Sequence, residues 1–171
     1  ITDEIWQKDF EGKIGLIVDD VIKNYSKTVT GEYLTRIEEA FPELDEVNKK
    51  VLATADRMYD VFFDEKIDFA PVIIEYGRFF EAIIWEYYNN NMDTYRDAIQ
   101  AQRGYGNSLG KARRIAQAAY GTPIYHYREE IAEICNNRNM CAHAAKDRFP
   151  NAERIHNIVW RTKLVSFLLN S

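Results

Sequence analysis

Two side chains able to do phosphate and proton chemistry fall close together in Arg138-Asn139-Met140-Cys141-Ala142-His143. A guanidinium stays charged at any physiological pH, and its planar donors match phosphate oxygens two at a time. An imidazole titrates near neutrality, so both its protonation states are available to a general acid/base. Cleaving RNA without a metal needs a proton taken from the 2′-OH, charge neutralised on the pentavalent phosphorane, and a proton given to the departing 5′ oxygen. His143 suits the first or third task and Arg138 the second. Asn139 is four residues before His143, so on a helix its amide would share a face with the imidazole and orient it or a phosphate oxygen. Arg138 and His143 are five apart, about 140° around an ideal helix. They converge if Arg138 lies at a helix start, which is where the segment is expected, or if its long side chain reaches round. One chain supplies one such His. Two-fold pairing would bring two Arg/His sets to a shared groove, with separate acid and base, so a homodimer is expected.

The elements that must carry this segment are helical. Apolar residues recur at helical spacing nearly throughout, and no strictly alternating stretch competes. Phe10, Ile14, Ile17, Val21 and Tyr25 form the stripe of a first helix, and a second segment, Tyr33 to Phe41, ends before Pro42. Val47, Val51, Ala55, Met58 and Phe62 mark the next stripe. Val72, Tyr76, Phe79, Phe80, Ile83 and Tyr87 give the inner face of a strong helix that Asn89-Asn90-Asn91 should stop. Shorter helices are expected at about 93–102 and 108–119, separated by loops at Gly104, Gly106, Gly121 and Pro123. Tyr125 to Asn137 reads as a helix leading into the motif. Asn151 should cap a last helix whose face runs through Ile155, Ile158, Val159, Thr162, Val165 and Leu169. The sum is an all-α bundle of six to eight helices, without internal repeats.

Composition sets the frame. The chain has 171 residues, 46% hydrophobic and 29% charged, which suits one globular domain with a full core. The start at Ile1, without a Met, leaves room for a longer protein and a further domain. Cys135 and Cys141 lack CxxC spacing and a second ligand pair, and they read as reduced thiols of a cytoplasmic protein. Apolar runs fall short of the roughly 18 residues of a membrane span, and the acidic N-terminus does not resemble a signal peptide. The net charge of -5 is unevenly spread. Residues 1–100 carry 11 Lys/Arg against 22 Asp/Glu, and residues 101–171 carry 11 against 5. The motif therefore sits in the basic part, where local potential is compatible with RNA.

Three stretches give the chain a family resemblance. Tyr76-Gly77-Arg78-Phe79-Phe80-Glu81-Ala82 resembles an Arg/aromatic/Glu core segment of HEPN-superfamily domains. Ser108-Leu109-Gly110-Lys111, followed by Arg113 and Arg114, is similar to a Leu-Gly-Lys stretch of several branches. Arg138-Asn139-Met140-Cys141-Ala142-His143 resembles the HEPN motif itself, including the polar residue after Arg. The likeness covers roughly residues 70–170, and residues 1–70 carry no recognised motif. It implies a helical, dimerising, metal-independent endoribonuclease with Arg138 and His143 catalytic and Asn139 supporting them. The toxin branch paired with a nucleotidyltransferase antitoxin continues His-x-Tyr. Here Ala145 stands at that place, so control by modifying that tyrosine is not implied.

Other candidates are weaker. Gly104 to Lys111 looks like a phosphate-binding loop, but Tyr105 stands where Gly is needed and Ala112 where Ser or Thr would hold magnesium. Arg103, Tyr105, Lys111, Arg113 and Arg114 are instead candidate RNA contacts, through the backbone or by stacking. A solvated basic face is the competing reading. His126 and His156 read as surface or structure, Glu81 as a partner of an arginine or a plain surface carboxylate, and Trp85, Tyr87 and Tyr88 as core or dimer surface. No metal or cofactor set is expected. Two functions follow: a toxin or defence effector that cuts single-stranded RNA or tRNA, restrained by an antitoxin or sensor domain; or a non-catalytic HEPN dimer that binds or regulates.

Overall fold

The computed structural model describes residues 31–65, 68–104, 106–141 and 149–170. The stripe expected from Phe10 to Tyr25 lies outside them. The described residues are all-α, with eight α-helices and no strand: α1 (31–40), α2 (Glu46–Glu65), α3 (Ala70–Asn90), α4 (Met92–Gln100), α5 (Leu109–Ala118), α6 (Arg128–Met140), α7 (Phe149–Arg161) and α8 (Leu164–Leu169). A 3-10 turn, Pro123–Tyr127, leads into α6.

Helix α3 is the axis of the bundle. Eleven of its 21 residues are buried, too many for a single apolar stripe, and they face α2, α5, α6, α7 and α8 around the helix. Pro71 at its first turn loses no hydrogen bond there. It stops where expected: the Asn91 backbone N–H and side-chain amide both donate to the Tyr87 carbonyl. Tyr87, Tyr88 and Tyr95 pack ring to ring in the core. Trp85 is buried beside them, so these aromatics belong to the interior.

Two stripes differ from the sequence reading. On α2 the buried positions are Leu52, Ala53, Ala55 and Asp56, while Val47 is 70% exposed. Val51, Met58 and Phe62 pack against the core from its edge, and the carboxylate of Asp56, invisible to an apolar count, is part of the buried face. The last helix is two, α7 and α8, broken at Thr162–Lys163. The Thr162 hydroxyl donates to the Ile158 carbonyl and accepts from the Leu164 N–H, closing one helix and opening the next. Asn151 lies inside the first turn of α7 instead of capping it. Its amide reaches α6.

Candidate functional site

Arg138 lies in the last turn of α6, where the sequence reading placed the start of a helix. The helix runs on as far as Met140, and Asn137 is tied into it. Its side-chain amide donates to the Glu133 carbonyl at 2.9 Å, and its Oδ1 accepts from Asn151 of α7. Asn137 is 4% exposed, so this polar pair locks α6 to α7 from inside. Cys141 continues the tie by donating its thiol to the Asn137 carbonyl. Both cysteines are free thiols.

The phase of α6 gives Arg138 its place. Ile131, Ile134 and Cys135 are buried and face inward. Arg138 occupies the next position of that stripe, seven residues after Ile131, where the pattern calls for an apolar side chain. Its aliphatic stem lies along α3 at Gly77, and the residue as a whole is half-buried. The C-terminal end of α6 also favours a cation there. Among the described residues the guanidinium has no hydrogen-bond or ion-pair partner. The carboxylates of α3 nearest to Gly77 in sequence are occupied elsewhere. Glu75 holds Arg78 at 2.9 Å, and Glu81 accepts the Leu109 N–H at 2.8 Å. Asn139 is exposed, and its amide turns back to the Cys135 sulfur at 3.6 Å. His143 lies outside the described residues, as do Tyr105 and Ala145.

The basic residues of the second candidate set separate into roles. Ser108 caps α5 by accepting the Lys111 N–H, and its carbonyl takes the Trp85 indole N–H at 3.2 Å. With Glu81 on the Leu109 N–H, the Ser-Leu-Gly-Lys stretch is a helix start bolted onto α3. Glu81 is therefore neither an arginine partner nor a plain surface carboxylate. Lys111 places its ammonium 5.8 Å from the centre of the Trp85 ring. Arg113 donates to Asn136 Oδ1 at 2.7 Å, linking α5 to α6 two residues before Arg138, with its Nε buried and unpartnered among the described residues. Arg114 holds Gln102 Oε1 and the Arg103 carbonyl, fixing the loop with positive-φ Gly104 and Gly106. Arg103 itself is exposed.

A polar cluster that the sequence did not announce joins α2, α3 and α7. Asp56 of α2 is 1% exposed. Its Oδ1 accepts the Tyr76 hydroxyl at 2.6 Å and the Trp160 indole N–H at 3.2 Å. The Tyr76 oxygen lies 2.7 Å from His156 Nδ1. With the hydroxyl donating to Asp56, the tyrosine oxygen is left to accept from His156 Nδ1. Tyr59 stacks on the imidazole at 4.2 Å between ring centres. Burial first, and then the Asp56 charge, push the Tyr76 hydroxyl well above the ordinary tyrosine range. Asp56 Oδ2 is buried with no partner among the described residues. His126 is exposed. A groove of about 250 Å³ runs along α2 between Ala53, Arg57, Val61 and Phe62, and no residue of the Arg138 neighbourhood lines it. Among the described residues no helix is long and apolar enough to cross a membrane, and no group of three or more His, Cys, Asp or Glu could hold a metal ion.

Compared with family profiles, with curated proteins and with solved structures, the chain matches none.

Proposed function

We propose that this chain is a HEPN-type, metal-independent endoribonuclease that works as a homodimer in the cytoplasm, a toxin or defence effector acting on single-stranded RNA or tRNA. The observation that carries the reading is the state of Arg138. A half-buried guanidinium, held by its stem on the central helix and without an anionic partner among the described residues, is a charge kept for something outside the fold. In this reading the 2′-oxygen attacks phosphorus as its proton leaves, the bond to the 5′ oxygen breaks, and that oxygen is protonated. The products are a 2′,3′-cyclic phosphate and a 5′-OH. His143 moves the protons, one copy from each chain of the pair, and Arg138 neutralises the phosphorane. Asn139 supports them, and Arg103, Tyr105, Lys111, Arg113 and Arg114 bind the RNA strand. An antitoxin or sensor domain restrains the activity.

The test is cleavage of RNA by purified full-length chain in EDTA, with end-group analysis of the products. Arg138→Ala and His143→Ala should each lower the rate about a hundredfold or more, the usual worth of a transition-state charge donor or a general acid/base. Equal cutting by all three proteins would identify a contaminant. Binding of RNA without cutting would instead favour the non-catalytic HEPN module.

A further inference from the structure

Gly77 stands in the middle of α3, among Tyr76, Phe79 and Phe80, where a glycine weakens the helix by roughly 0.5–1 kcal/mol relative to alanine. It is buried, and no turn or positive φ calls for it. The reason lies on α6. A methyl group added at Gly77 would come within 3.0 Å of Arg138 Cγ, 3.1 Å of Cδ and 3.5 Å of Cβ. The first two distances are tighter than nine in ten real contacts of a Cβ, so the arginine stem would have to give by a few tenths of an ångström. The third is ordinary contact. The groove left by the missing side chain thus receives the middle of the arginine stem. The acids on either side, Glu75 and Glu81, are engaged by Arg78 and by the start of α5. Among the described residues, then, Arg138 is steered by shape and not by an ion pair.

We propose that Gly77 is the positioning residue of Arg138: its bare backbone seats the arginine stem against α3 and so fixes where the guanidinium emerges beside the end of α6. The catalytic consequence rests on the ribonuclease reading, whereas the positioning does not. A residue acting in this way touches no substrate, yet it sets the orientation of a group whose displacement by about 1 Å can cost on the order of a hundredfold in rate.

Four proteins test it: wild type, Gly77→Ala, Arg138→Ala and the double variant. Replacing glycine by alanine in a helix normally raises stability. Here Gly77→Ala alone should lower the thermal midpoint, and the same substitution in the Arg138→Ala background should raise it, because the two tighter contacts are then gone. The side-chain Nε–H resonance of Arg138, identified by its loss in Arg138→Ala, should shift in Gly77→Ala. RNA cleavage by Gly77→Ala should fall roughly tenfold to a hundredfold in kcat with little change in KM. Should Gly77→Ala fail to fold, a folded double variant supports the proposal and an unfolded one overturns it. A midpoint that rises in both backgrounds, or an Arg138 resonance left unmoved, also overturns it. If wild type cuts no RNA while the midpoints change sign and the resonance shifts, the nuclease reading falls and the positioning role stands.

Discussion

Two buried or half-buried polar side chains meet neighbouring positions of α3, Arg138 at Gly77 and Asp56 at Tyr76, and their partners set them apart. Arg138 is charged, lacks an anion among the described residues, and lies at a helix end. Asp56 is buried, but Tyr76 and Trp160 both donate to its Oδ1 and His156 closes the set through the tyrosine oxygen. Such a network fixes one packing of α2, α3 and α7. Tyr76→Phe keeps the ring in place while removing the donor to Asp56 and the acceptor for His156. The loss should be about 1.5–3 kcal/mol, the usual worth of a hydrogen bond to a charged group. Urea unfolding of the variant measures it directly, and RNA cleavage should stay near wild type because Tyr76 plays no part in the proposed chemistry. A variant as stable as wild type would mean that the carboxylate is not carried by the tyrosine.

At the scale of elements, α5 hangs on its first turn. Its first backbone N–H goes to Glu81, its third to the Ser108 hydroxyl, and the Ser108 carbonyl goes to Trp85. Glu81→Ala should cost about 1–2 kcal/mol and Ser108→Ala about 1 kcal/mol, as for other caps. Hydrogen exchange should quicken first in α5, with α3 unchanged, if the cap holds that helix to the bundle. How far the sequence disclosed these elements follows from what periodicity can register. The long stripe of α3, its asparagine stop and the short helices around Gly104 and Gly121 were legible because apolar spacing and turn residues mark them. The α2 stripe was read in most positions, since Ala55 is buried and Val51, Met58 and Phe62 pack on the core, but Asp56 is invisible to an apolar count, and the split of α7 from α8 was missed because Thr162 acts through its hydroxyl. The motif was legible as residue types. Its position at the end of α6 was not, since no breaker stands before it. Yet the Ile131, Ile134, Cys135 and Arg138 spacing, with a lone glycine inside an aromatic helix, carried the Arg138–Gly77 contact in plain view.

The molecule as a whole is stapled by tyrosines, and this gives it an alkaline limit. Tyr76 and Tyr88 are fully buried. Tyr88 donates to the Ala112 carbonyl, and Tyr87 and Tyr95 share a hydrogen bond at 2.8 Å. Burial pushes the Tyr88 and Tyr87 hydroxyls up as it does that of Tyr76, helped at Tyr87 by the bond to Tyr95. In the unfolded chain each ionises at about pH 10. A raised value in the folded state means that the native protein holds protons which the unfolded chain gives up. Stability from these groups is therefore complete below about pH 10 and drains away above it. For Tyr76 and Tyr88 together the slope is about 3 kcal/mol per pH unit, at roughly 1.4 kcal/mol for each group that stays protonated. Urea midpoints should accordingly show no tyrosine-linked loss up to about pH 9 and fall steeply beyond pH 10. Tyr88→Phe should lower the neutral-pH midpoint by the lost bond to Ala112, yet make the alkaline decline shallower. Tyrosinate absorbance of these groups should appear together with unfolding. Ionisation of all the tyrosines near pH 10 in a chain that remains folded would show that water reaches the ring cluster, and that the helices around α3 are not closed as described.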